Sequence, residues 1–372
     1  MIPLARRAAF CLLLISLSLA ARAAEREPVP ATTEIGMLQG APYRIDVPAV
    51  WNHGLVVFYH GYAVTPVTFE VGERISPMFD GMLARGFAVI QSAYSATGWA
   101  IEEGAADTER LRQAFIAKHG QPRETFVSGL SMGGALTVIA LEGHPDLYDG
   151  GLSLCGALEP SDRLMQRDFA MLAAFDYYYP GIIGPLVPVS ADFLPTDAVV
   201  RRIIAAFHAK PEGALAILSY YGVGDGTTLA DVVASNVYEI KEMQQRVHGN
   251  PFGNADLVYI GSGDDFALNA GVRRYRADAA AAERLARYYV PTGKLTRPLL
   301  ALHDTGDPLV PASTVFEYAL ATQRAGHGDS FVQQFVNKKG HCVFTPDEID
   351  HAFGELLDWA RDGKRPASGP LH

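Results

Sequence analysis

Continuous apolar runs, each followed by a helix-like stretch, constrain this chain more than any other feature. Residues 54–61 (GLVVFYHG), 87–94 (FAVIQSAY), 125–130 (TFVSGL) and 150–156 (GGLSLCG) are dominated by apolar and small residues without alternation. That is the pattern of strands covered on both faces. Helical stretches around 68–85, over 103–119 and over 132–143 separate them. Gly86 offers a natural residue to end the first. The second carries acids early and Lys118-His119 late, as the helix macrodipole favours. Strands alternating with helices of this length imply a parallel sheet flanked by helices. Two shorter strands around Gly40-Ala41-Pro42 precede it.

After residue 156 the alternation stops and resumes at 297. Residues 157–296 hold helical runs near 161–175, 197–220, 228–247 and 276–289, joined by loop-rich stretches such as YYYPG and GNPFGNADLVYIGSGDD. Then follow a strand in RPLLALHD (297–304), a helix over 312–325, a strand in SFVQQFVN (330–337) and a helix from 346 to 361. Thr345-Pro346-Asp347-Glu348 opens that last helix with a capping box and Pro at its first position. Residues 363–372 read as a frayed tail. The 372 residues therefore suit one α/β domain, 24–156 with 297–372, carrying a mainly helical insertion over 157–296.

The first residues form a separate unit. Arg6 and Arg7 precede an apolar run, Ala8 to Leu19, that is too short to span a bilayer comfortably. Ala21-Arg22-Ala23 fits a signal-peptidase site, so residues 1–23 read as a signal peptide. The expected location is the periplasm or the medium, with no stable membrane anchor after cleavage. The formal net charge is −10, and losing Arg6, Arg7 and Arg22 makes it more negative. No basic patch stands out, which disfavours nucleic acid as a partner.

Chemistry concentrates where the strands end, the place where open parallel sheets hold their ligands. Gly129-Leu130-Ser131-Met132-Gly133 is a G-x-S-x-G pattern between a strand and a helix. A serine hydroxyl needs a base, an orienting acid and oxyanion donors before it can act as a nucleophile. The later strand ends offer Asp304 and Asp307 in HDTGDPLVP, and His341 in KKGHCVF. The order Ser, Asp, His is that of a nucleophile elbow followed by its triad partners. His341 would take the Ser131 proton and Asp307 would fix the imidazole. The backbone N–H groups of Met132 and of Tyr62, in the His60-Gly61-Tyr62 turn, would bind the oxyanion.

Residues 33–362, apart from the insertion, resemble the α/β-hydrolase family: GLSMGG, HGY, GDPLVP and GHC stand where its elbow, oxyanion loop, acid turn and histidine loop belong. The resemblance implies an eight-stranded, mostly parallel sheet with a cap inserted after the sixth strand. It favours Asp307 over Asp304, since D-x-x-V-P is the family's usual acid turn. The oxyanion loop departs from the Gly-Gly-Gly type of some esterases. DDFALNAGVRRYRAD and PTGKLTRPLLALHDTGDPLVP are similar to secreted bacterial hydrolases grouped with prolyl-oligopeptidase-like enzymes.

The expected activity is carboxylic-ester hydrolysis through an acyl-enzyme, on a small-molecule ester; the alternative is a serine exopeptidase or amidase on short peptides or amides. Tyr177, Tyr178 and Tyr179 are candidates for the substrate pocket. Glu159, Asp162 and Asp176 are the carboxylates an exopeptidase would need near its substrate amine. Cys155 and Cys342 both fall at the carboxyl edge of the sheet, either as a disulfide or as two separate thiols. No metal or cofactor signature appears; Asp264-Asp265 reads as a solvated loop rather than a calcium site.

Overall fold

A computed structural model describes residues 31–222 and 225–371. The signal-peptide segment, residues 1–23, lies outside the described residues. Nine strands form one sheet: β1 (Ala31–Leu38), β2 (Ala41–Pro48), β3 (Gly54–Tyr59), β4 (Phe87–Ser92), β5 (Glu124–Leu130), β6 (Gly150–Leu154), β7 (Leu299–Gly306), β8 (Phe331–Lys339) and β9 (Gly369–Pro370). Their spatial order is β1-β2-β4-β3-β5-β6-β7-β8-β9. β1 and β2 pair antiparallel, β2 joins β4 antiparallel, and every later pairing is parallel.

β3 lies in the interior of the sheet between β4 and β5, and all six of its residues are buried. Its side chains alternate between two cores, as a pleated strand requires. Leu55, Val57 and Tyr59 join one, with Leu111 and Phe115 of α2 (Ile101–His119) and Leu136 and Leu141 of α3 (Met132–Gly143). Val56 and Phe58 join the other, with Met82 and Leu83 of α1 (Asp80–Ala84) and Phe353 and Leu356 of the C-terminal helix. Phe353 meets Phe87 and Phe126 edge-on, with ring centroids 5.3 and 5.8 Å away. Full burial of such a ring stabilises the fold by about 3 kcal/mol.

Six helices lie between β6 and β7: α4 (Ser161–Tyr178), α5 (Asp197–Ala209), α6 (Pro211–Tyr221), α7 (Gly226–Arg246), α8 (Asp265–Gly271) and α9 (Ala279–Tyr288). α10 (Ser313–Arg324) and α11 (Pro346–Asp362) follow β7 and β8. No helix among the described residues is long and apolar enough to cross a membrane.

Four expectations need correction. The helix expected over 68–85 shrinks to a 3-10 turn at Pro77–Phe79 and the five residues of α1, because Pro66, Gly72 and Pro77 oppose helical backbone. The run 197–220 splits in two at Lys210-Pro211, with Pro211 opening α6. α8 is not among the expected helices and starts at Asp265, the last residue of a stretch read as loop; Asp264 caps it by accepting from the Ala267 N–H, 3.0 Å away. The tail is not frayed: Gly369 and Pro370 pair with Gln334 and Phe335 and add a ninth strand to the expected eight, and Gln334 donates to the Ala367 carbonyl.

Candidate active site

The turn between β5 and α3 carries Ser131 at φ 58°, ψ −121°, a backbone conformation that costs an L-residue free energy. Close packing holds it there. The Ser131 N–H donates to the Leu154 carbonyl at 2.9 Å, and its own carbonyl accepts from Gly134 and Ala157. A side chain on Gly129 would strike the Gly133 carbonyl, and one on Gly133 would strike the Tyr59 carbonyl. Both glycines are therefore required by close backbone approach, the reason the G-x-S-x-G spacing matters.

β7 and β8 bring the acid and the imidazole to the same edge. His341 Nε2 lies 2.8 Å from Ser131 Oγ, and His341 Nδ1 lies 2.6 Å from Asp307 Oδ2. The other Asp307 oxygen accepts from the N–H groups of Leu309 and Val310, both at 2.9 Å. These bonds fix the carboxylate and place the Nδ1 proton toward it. Nε2 is then left to accept from the serine hydroxyl. Ser131 and Asp307 are buried, and the His341 side chain is 19% exposed.

The neighbouring ionisable side chains have other partners. Asp304 is fully buried within β7; one oxygen accepts from the Val343 N–H at 3.3 Å and the other has no partner. Burial pushes its carboxyl up to about 6. His303 donates from Nε2 to the Val310 carbonyl at 2.7 Å, beneath the acid turn, and burial lowers its pKa. His60 donates from Nδ1 to the Gly61 carbonyl at 2.6 Å and stacks on Tyr94, centroids 3.8 Å apart. His60 therefore supports the turn that carries Tyr62. A Cβ on Gly61 would lie 3.2 Å from Ser131 Cβ, so this turn abuts the elbow. Met132 is the first residue of α3, where a backbone N–H has no partner within the helix.

Cys155 and Cys342 are bonded, with Cα atoms 5.4 Å apart and a sequence separation of 187. Cys155 follows β6, beside the Leu154 carbonyl that holds Ser131; Cys342 follows His341 directly. Among the described residues, Cys155, His341 and Cys342 are the one grouping of metal-capable side chains, and both sulfurs are spent on the disulfide. A Cys155→Ser/Cys342→Ser chain is expected to lose about 2–4 kcal/mol of stability, since this loop is long. Urea unfolding of both chains, with and without reductant, checks it: the wild type should fall to the variant's midpoint once reduced.

The tyrosines expected in the substrate pocket make their contacts with the inserted helices. They end α4, ten to twelve residues beyond Arg167 and roughly 15 Å further along the helix. Tyr179 is buried and donates to the Lys210 carbonyl at 2.6 Å, Lys210 lies over Tyr178, and Tyr177 packs on Gly271. Aromatic content alone cannot distinguish a pocket wall from the core of a helical layer. Asp176 accepts from the Gly181 N–H, and Asp162 lies in the first turn of α4. Glu159 sits nearer the acid turn, in the field of Arg167 and Asp168, with burial raising its pKa.

Sequence reading missed a buried polar group built on the inserted helices. Arg167 donates to the Leu309 carbonyl at 3.3 Å and to Asp168 at 3.2 Å. Tyr221 donates to the same Asp168 oxygen, and Asn236 donates to the Tyr221 hydroxyl at 3.3 Å. These residues follow the ordinary spacing of amphipathic helices, and only the packing of α4, α6 and α7 joins them.

No family model matches the chain. The o-phthalyl amidase of Xanthobacter agilis is 23% identical over 420 residues, covering 92% of this chain and 90% of its own. Among solved structures, the acylaminoacyl peptidase of Pyrococcus horikoshii is 11% identical with a TM-score of 0.49; the match covers 89% of this chain but 42% of that one. An esterase of Pyrococcus furiosus is also 11% identical, with a TM-score of 0.47, covering 89% and 91% of the two chains.

Proposed function

We propose that this serine hydrolase of the α/β-hydrolase fold cleaves carboxylic esters of small molecules through an acyl-enzyme formed on Ser131. The observation that carries this reading is the hydrogen-bonded line from Ser131 Oγ through His341 to Asp307, at 2.8 and 2.6 Å. Ser131 Oγ attacks the substrate carbonyl while His341 Nε2 takes its proton. The oxyanion forms against the N–H groups of Met132 and Tyr62, where one such donor contributes on the order of 3 kcal/mol to transition-state stabilisation. His341 then protonates the leaving alkoxide. Water, deprotonated by the same nitrogen, releases the acid and restores the serine.

Amide hydrolysis is the second reading, and the amidase name of the Xanthobacter relative favours it. The residue set is the same; an amine leaving group places a heavier demand on protonation by His341. Helices α4 to α9, inserted between β6 and β7, would act as the cap over the site. Export fits the leader at residues 1–23, and the Cys155–Cys342 bond supports it, since disulfides persist in oxidising compartments.

The test is a panel on the purified mature protein: p-nitrophenyl esters of graded acyl length beside aminoacyl and prolyl p-nitroanilides. Burst release of p-nitrophenol with little anilide cleavage is expected. Anilide turnover matching ester turnover would establish the amidase reading instead.

A further inference from the structure

His341 stands on a segment that packing alone holds weakly. From Asn337 to Glu348 no residue is buried, so no buried side chain anchors the stretch. The β7–β8 ladder that leads to it loses register between Asp304 and Gly306. Two backbone bonds tie the segment to β7, and both are long. The Gly340 N–H donates to the Gly306 carbonyl at 3.2 Å, and the Val343 N–H to Asp304 at 3.3 Å, where such bonds centre on about 2.9 Å. Gly340 and Cys342, on either side of His341, have φ 125° and 59°, and the second value costs a cysteine free energy. Asp307 grips the imidazole at Nδ1. A ring held at one nitrogen can still swing Nε2 away from Ser131 unless its backbone is fixed.

The elbow has firmer support, and Cys155 is part of it. Leu154, before Cys155, accepts the Ser131 N–H, and Ala157, after it, donates to the Ser131 carbonyl. Cys155 is fully buried and donates its own N–H to the Leu302 carbonyl at 2.8 Å. β7 stands between β6 and β8, which sets those two strands roughly 9–10 Å apart. The Cα atoms of Cys155 and Cys342 are only 5.4 Å apart. The segment after β8 therefore turns back across β7, on the face where Asp304 meets Val343, and the disulfide fastens it there. One S–S bond thus joins the neighbour of the residue that holds Ser131 to the neighbour of His341.

We propose that the Cys155–Cys342 bond positions His341 for proton exchange with Ser131, and that its reduction turns the enzyme down while the fold persists. This rests on Ser131 and His341 being nucleophile and base, and it names the device that controls that pair. Cys342 is half-buried, so a small dithiol can reach its sulfur. One thiolate of the dithiol attacks Cys342 Sγ and the S–S bond breaks, Cys155 leaving as a thiolate that takes a proton. The second sulfur of the dithiol then displaces Cys342 as its own ring closes, so two electrons pass from the dithiol to the cysteines. The freed Cys342 Sγ starts 3.5 Å from His341 Nε2, where its S–H competes with the serine hydroxyl for that nitrogen. Cys155 and Cys342 act through His341 and are positioning residues.

The test separates the number of working sites from the rate at each. A fluorophosphonate, left to react to completion, counts the sites through the labelled serine, and p-nitrophenyl acetate gives the rate. Three proteins are compared: oxidised wild type, wild type reduced with dithiothreitol and desalted just before assay, and Cys155→Ala/Cys342→Ala. The two bond-free proteins should label as fully as the oxidised one. Their kcat per labelled site should be lower by about 10- to 100-fold, the cost of a misplaced catalytic group, with KM within a few-fold. Oxidised glutathione should restore the reduced wild type, and the double variant should ignore both reagents. Equal rates per site with and without the bond overturn the proposal. So does a loss of labelled sites that accounts for the whole loss of rate, since the bond would then be a staple of the fold alone. A p-nitrophenol burst that survives in Ser131→Ala sinks the nucleophile assignment instead, whatever the cysteines do.

Discussion

Replacing Ser131 by alanine is expected to lower kcat on the best ester substrate by about 10⁶-fold while leaving the protein folded. The magnitude follows from the unity of the triad: without the nucleophile, His341 and Asp307 have no covalent step to assist. What remains is the background from oxyanion donors and binding. The fold should tolerate the change for reasons visible at the turn. Ser131 Oγ makes no capping bond to α3, and the backbone bonds that hold the elbow come from its N–H and C=O. Alanine keeps both, and at φ 58° it bears the same strain as serine. Circular dichroism and the thermal midpoint should match wild type, and the p-nitrophenol burst should vanish. Activity above about one part in a hundred would mean that another group performs the attack.

Much of the site was legible because its parts are short and local. The elbow needs two small residues at fixed spacing around the serine, so its packing constraint is written in five letters. Asp307 follows the apolar run Leu299–Leu302 of β7 and His341 follows β8, whose apolar residues flank Gln333-Gln334, and a parallel sheet delivers such strand ends to one edge. Misreadings arose where the decisive contacts are long-range or where proline intervenes. Pro211 cuts one apparent helix into α5 and α6 without disturbing its apolar pattern. β9 is two residues long and owes its existence to a neighbour, not to its own propensity. Tyr177, Tyr178 and Tyr179 fall in a stretch that reads as loop, yet they close a helix against α5, α6 and α8. The Arg167–Asp168–Tyr221–Asn236 group gave no signal, because its members follow ordinary helical spacing and only the packing of α4, α6 and α7 joins them.

Two aspartates three residues apart allow a sharp test of the acid. Asp307→Asn is expected to lower kcat by about 10⁴-fold, and Asp304→Asn to leave it within a few-fold. The first effect follows from the hydrogen bonds at the turn. Leu309 and Val310 both donate to one Asp307 oxygen, so an asparagine would keep its carbonyl there and turn its NH₂ toward His341 Nδ1. Two donors would then face each other, the imidazole proton would move to Nε2, and His341 could no longer accept from Ser131. Asp304 has no such tie to His341; its bonded oxygen takes the Val343 N–H, which an asparagine carbonyl can also take. Its signature lies in stability. The folded value of about 6 exceeds the unfolded aspartate value of about 4, so between them the native state binds more protons than the unfolded chain. Stability should therefore fall as pH rises from about 4 to about 6, and Asp304→Asn should flatten that part of the curve and be at least as stable above it. Urea midpoints across this range, beside kcat at pH 8 for both variants, separate the roles. A larger loss of kcat from Asp304→Asn would transfer the acid's role to the buried strand residue and leave the Asp307 turn as scaffold.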